Sequence, residues 1–163
     1  MKGRKAVVFL LLLMAITPAE FSEAQDDKTA VTRTLNDYAA AFGAAFGSLD
    51  AQRVLPYYHE PLMIVTAART LVLTGRADVE AWLKSLFQRL KERGWDARSE
   101  WAQLHVRALS AGVALASGLS VRHKADGQEL ERVAVTYVLR KTGDGWKIAV
   151  LVAHDPGGVR SLD

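Results

Sequence analysis

The stretch Val133-Ala134-Val135-Thr136-Tyr137-Val138-Leu139-Arg140-Lys141-Thr142-Gly143-Asp144-Gly145-Trp146-Lys147-Ile148-Ala149-Val150 decides the fold. It is rich in β-branched and aromatic residues on both sides of Gly143-Asp144-Gly145, which reads as two strands joined by a tight turn. A link that short makes them antiparallel neighbours. The pattern extends outward in both directions. Strand-like segments run over Trp95 to Leu109, Val113 to His123, Leu130 to Lys141 and Trp146 to His154. Ser110-Ala111-Gly112 and Asp126-Gly127 supply the other turns, so four consecutive strands pair antiparallel.

Upstream of Trp95 the period changes from two to that of a helix. Gly75 opens this helix, with Asp78 and Glu80 in its first turns, where acids suit the helix dipole. Val79, Trp82, Leu83, Leu86, Phe87 and Leu90 form its apolar stripe. Arg89, Lys91 and Arg93 crowd its end, and Gly94 is the natural cap. The basic cluster compensates the dipole on a solvated face. Before it, Leu62 to Thr66 and Thr70 to Leu73 read as a strand pair joined by Ala67-Ala68-Arg69. A short helix over Ala51 to Tyr57 breaks near Pro56. Earlier still, Val31, Leu35, Tyr38, Phe42, Phe46 and Leu49 mark one face of a first helix. Gly43 and Gly47 either weaken its end or admit a close neighbour. Gln25 to Lys28 reads as a polar leader.

Three stretches together resemble the nuclear transport factor 2-like superfamily, which includes ketosteroid isomerase and the SnoaL-like polyketide cyclases. They are Tyr38-Ala39-Ala40-Ala41-Phe42 running into Gly47-Ser48-Leu49-Asp50; Leu73-Thr74-Gly75-Arg76 leading to Val79 and Trp82-Leu83; and Val135 to Arg140 followed by Gly145-Trp146-Lys147-Ile148. The resemblance implies an α+β fold. A strongly bent, mainly antiparallel six-stranded sheet wraps around three N-terminal helices as a cone-shaped barrel. A bent sheet cannot pack its helices along its whole length, so a ligand pocket is expected where they diverge. The resemblance also implies pairing as a homodimer through the outer sheet face.

The first residues read as an export signal. Lys2, Arg4 and Lys5 precede an unbroken apolar run from Ala6 to Ile16, too short to span a bilayer, which takes ~20 residues. Ser22-Glu23-Ala24 offers a small-x-small cleavage site. The organisation expected is a signal peptide over 1–24 and one domain over 25–163, periplasmic or secreted, with no membrane association after cleavage. Without cysteine the domain has no disulfide framework, and its core must carry the stability. Removing the signal's three basic and two acidic residues lowers the formal charge from +3 to +2. Basic residues are interleaved with acids, so no nucleic-acid partner is expected.

Isomerase chemistry of the resembled kind needs a carboxylate base and an oxyanion hole of proton donors. The stretch resembling the base's strand, Met63 to Ala67, has no acid, and neither does Ala134 to Val138, which resembles the strand of the protonated acid. The leading expectation is therefore a domain binding a small hydrophobic molecule, with ligand residues Tyr38, Tyr58, His59, Trp101, Thr136, Tyr137 and His154. The alternative is a lyase, isomerase or hydrolase with His59 or His154 as base and Tyr38 or Tyr58 as proton donor. A third reading is a homodimeric interaction module. His59, His105, His123 and His154 are scattered without metal-site spacing, and no phosphate loop or nucleophile elbow occurs, so neither metal nor cofactor is expected.

Overall fold

The computed structural model describes residues 18–162, with side chains from residue 25 onward. The basic residues and apolar run of the export signal lie outside the described residues. Among the described residues, no helix is long and apolar enough to cross a membrane.

Helix α1 covers Pro18–Ser48, so the supposed leader from Gln25 to Lys28 is helical. The apolar pattern hid this because the face continues upward from Val31 through a charge. Asp27, one turn earlier, is buried and receives a 2.7 Å bond from the Lys141 ammonium. α1 stops at Ser48, and Leu49, expected on the apolar face, instead takes a positive φ of 53° and is 55% exposed. Two 3-10 turns, Ala51–Arg53 and Leu55–Tyr57, replace the single short helix expected there. Pro56 lacks the N–H that a continuing helix needs, and the Asp50 carboxylate caps the first turn at the Gln52 amide.

Strand β1 spans Tyr58–Val65, starting four residues before the apolar run at Leu62, and β2 spans Thr70–Leu73. Helix α2 covers Arg76–Glu92 and buries Val79, Leu83, Phe87 and Leu90. Each of these is worth ~1.5–3 kcal/mol relative to exposure. The first helical amide of α2, at Arg76, donates to the Glu60 carboxylate on β1. Gly94 follows α2 at a φ of 80°, as expected of a helix-ending glycine. Then come β3 (Trp95–Ser110), β4 (Val113–Lys124), β5 (Glu129–Thr142) and β6 (Gly145–His154).

The six strands form one sheet in the order β2-β1-β6-β5-β4-β3. β1 joins β6 parallel and every other pair is antiparallel. Among the described residues β2 and β3 are the edges of the sheet, which is an open cone rather than a closed barrel. The α+β class and the cone-like wrapping of helices by a mixed sheet are as expected.

Strand parity divides the sheet. Tyr137, Val135 and Val133 on β5 face the helices, with Trp101 on β3 and Leu151 on β6. The outer face carries the row Met63, Val150, Val138 and Leu115 across four neighbouring strands. The C-terminal segment lies over part of it. It leaves β6 at His154, and the Leu162 carbonyl accepts from Arg107 on β3 at 3.2 Å. Val159 and Leu162 are half-buried while the residues between them are exposed, as a strap seated on a sheet requires.

Candidate ligand-binding site

The inward residues of β3, β4 and β5 and one face of α1 enclose a hollow of about 60 Å³. That is room for a few waters, one of which needs ~10–15 Å³ of such space. Its walls are Tyr38, Ala39 and Phe42 from α1, Ser99 and Trp101 from β3, Ser120 and Arg122 from β4, and Val133, Val135 and Tyr137 from β5. A shallow groove of about 550 Å³ adjoins it, shares Ala39 and Ser99, and runs between α1 and the β3–β4 end past Gly43, Ala97, Glu100 and His123.

Two close approaches shape the site. A Cβ at Gly43 would lie 2.7 Å from the Ala97 carbonyl oxygen, so only glycine lets α1 meet β3 there. Ala97 itself has a φ of 73°, a strained conformation for a residue with a side chain. A Cβ at Gly118 would strike the Trp101 ring at 2.7 Å, and its absence lets the indole approach β4 closely.

Tyr38 is the hub of the aromatic wall. Its ring meets those of Tyr58, Phe42 and Tyr137 at centroid distances of 5.6, 5.9 and 6.2 Å. Trp101 meets Tyr137 edge-on at 6.5 Å. The Tyr38 and Tyr58 hydroxyls share a hydrogen bond of 2.8 Å. Burial raises the pKa of Tyr38, Tyr58 and Tyr137 well above the usual phenol value, so all three stay protonated at neutral pH.

The charge at the hollow comes from a three-residue cluster. Arg122 donates to Glu131 at 2.9 Å, and Arg93 donates to the other oxygen of the same carboxylate at 2.7 Å. Burial alone pushes the Glu131 carboxyl up, but the bonds from Arg93 and Arg122 together hold it below the usual glutamate range. The Arg122 guanidinium also lies 5.3 Å from the Trp95 ring centroid, a cation–π distance.

The structure brings Tyr38, Trp101 and Tyr137 together at the hollow, with Tyr58 directly behind Tyr38. It places the other residues singled out from the sequence elsewhere. His59 lies at the start of β1 and donates from Nδ1 to the Pro61 carbonyl at 3.2 Å. Thr136 faces the outside, because its neighbour Tyr137 faces in. There the Thr136 hydroxyl pairs with His154 Nε2 at 3.0 Å, while His154 Nδ1 donates to the Asp155 carbonyl. A Cβ at Gly158 would lie 2.7 Å from that imidazole, so the strap packs directly on it. No imidazole therefore stands beside the tyrosine pair. Sequence reasoning missed Arg122, Ser99, Ser120 and the Glu131 cluster. Strand parity was the available signal: once Tyr137 faces in, Val135, Val133 and their β4 neighbours follow. Among the described residues, no group of three metal-ligating side chains converges.

The family model described as "NTF2-like protein (DUF6841)" matches residues 25–156. Solved structures share the fold. An NTF2-like protein with a cystatin-like fold from Novosphingobium aromaticivorans is 17% identical, with a TM-score of 0.63 over 87% of this chain and 92% of that one. An NTF2-like protein of unknown function from Pseudomonas putida is 17% identical, with a TM-score of 0.59 over 85% and 95%. A dehydratase candidate of the NTF2-like family from Streptomyces avermitilis is 18% identical, with a TM-score of 0.56 over 79% and 95%. No curated protein matches the chain.

Proposed function

The chain belongs to the NTF2-like family DUF6841, and on that premise we propose that it is an exported domain that binds a small molecule at the hollow between α1 and the sheet. The observation that carries this reading is the convergence of four aromatic side chains and one guanidinium on a space that no side chain among the described residues fills. Aromatic walls with a few polar groups are the usual composition of such sites. The hollow is small, so the ligand seats one end inside and lays the remainder in the adjoining groove. Export is supported by the basic and apolar start of the chain and by a family match that begins at residue 25, where the proposed cut would fall.

Binding is favoured over catalysis because no carboxylate or imidazole lines the hollow. One observation favours a second reading. His123 and Glu100, 3.5 Å apart, stand on the groove wall, an acid–base pair suited to a lyase acting on a ligand that extends from the hollow. The dehydratase candidate among the structural neighbours is compatible with it.

Pairing of two copies through the outer sheet face is also proposed. The aliphatic row from Met63 to Leu115 supports it, with Met63 39% exposed.

The test is thermal unfolding of the purified protein across a library of small molecules, repeated on Ser120→Phe, whose ring would occupy the hollow. Compounds that stabilise the parent and not the variant support the reading; at a hundredfold excess over Kd the stabilisation is ~2.7 kcal/mol. Compounds that stabilise both proteins equally place binding elsewhere and overturn it.

A further inference from the structure

Resting on the reading of the hollow as a binding site, we infer that its ligand is a small organic acid whose carboxylate is received by Arg122. Glu131 is a single anion held by two cations, Arg93 and Arg122. The cluster therefore carries one uncompensated positive charge. Beside the site, Arg98 and Asp96 supply one charge of each sign, and the Glu100 carboxylate stands on the groove wall rather than on the hollow. The Arg122 side chain is only 17% exposed, so a carboxylate that reaches it meets a lower effective dielectric than at a surface arginine.

The remaining polar groups on the walls agree with that sign. Ser99, Ser120 and the protonated Tyr137 hydroxyl can each donate one hydrogen bond to an anion, and no aspartate or glutamate is among the lining residues. A carboxylate accepts from such groups and gains the charge-assisted bond with the guanidinium. An ammonium ligand would meet Arg122 as a like charge. A neutral amide would leave the excess charge uncompensated.

Size points the same way. About 60 Å³ accommodates a carboxylate and its first carbon between Tyr38, Trp101 and Tyr137. Ala39 and Ser99 border both spaces, so the acid's body continues past them into the groove.

Phenylacetate, phenylacetamide and phenethylamine differ chiefly in head-group charge and serve as probes for calorimetry on the purified protein. Phenylacetate is expected to bind at least about tenfold more tightly than the amide, with an affinity that falls as salt rises. The amine is expected not to bind. Arg122→Gln is expected to abolish the preference for the acid while Arg122→Lys keeps part of it. The salt dependence of the parent protein tests the same point without any variant. Equal binding of acid and amide, or acid binding indifferent to salt, overturns the acid assignment and leaves the hollow as a site. Failure of all three probes to bind overturns the assignment and the binding reading together.

Discussion

At the scale of single residues, the hollow depends on groups that are buried yet polar. Tyr38 and Tyr58 satisfy each other's hydroxyl inside the core. Removing one partner leaves the other buried and unpaired, which costs ~1–3 kcal/mol. Tyr38→Phe and Tyr58→Phe should each destabilise by that amount. The double variant should cost less than the two together, by denaturant unfolding. Burial raises the folded-state pKa of these phenols above the unfolded value of ~10, so their contribution is complete below that pH and is lost as pH rises beyond it. Stability measured above pH ~10 should fall less steeply in the double variant than in the parent. Glu131 has the opposite sign. Its folded-state pKa is depressed, so its contribution is present above the unfolded glutamate value of ~4.3 and is lost as pH falls through the folded one. Glu131→Gln should remove that acid-side loss and lower stability at neutral pH. An unchanged acid limb would show that the two arginines do not act through this carboxylate.

At the scale of elements, two helical glycines that look alike in the sequence differ in kind. Gly43 meets the Ala97 carbonyl, so Gly43→Ala must push α1 off β3 and should destabilise by ~1–3 kcal/mol. Nothing lies within 4 Å of a Cβ at Gly47, so Gly47→Ala should stabilise the helix by ~0.5–1 kcal/mol. Thermal unfolding of the pair separates a packing glycine from a merely flexible one. The sequence carried only the statement that one or the other role applied, because the distinction depends on a contact 54 residues away in the chain. Elements defined by periodicity were legible. The stripe from Val79 to Leu90 and the period-two strands after Gly94 stand where the pattern put them. Elements whose ends depend on polar groups were not. The first turns of α1 are anchored by the buried Asp27–Lys141 pair, and β1 begins at Tyr58 through partners that no local pattern reveals.

At the scale of the whole molecule, the sheet separates two sets of residues that the sequence could not sort. Tyr137 and Thr136 are neighbours, and reading which faced inward required the register with β4 and β6. That register assigns Tyr137 to the hollow and Thr136, with His154, to the face under the strap. The strap and a second copy would compete for this outer face. Deleting residues 157–163 should therefore uncover the face around His154 and Thr136, on which Gly158 packs, and strengthen self-association, read by sedimentation. A truncated protein no more associated than the parent would contradict pairing through that face. On the opposite face of the sheet, aromatic rings and one guanidinium surround an unfilled space. Of the four tryptophans in the chain, Trp101 borders that space, whereas Trp146 is buried beside Lys141. Nuclear magnetic resonance of the indole N–H signals during titration with phenylacetate therefore tests the account directly. The Trp101 signal is expected to shift saturably with Trp146 unmoved; a silent Trp101, or a shift confined to another indole, would contradict binding at the hollow.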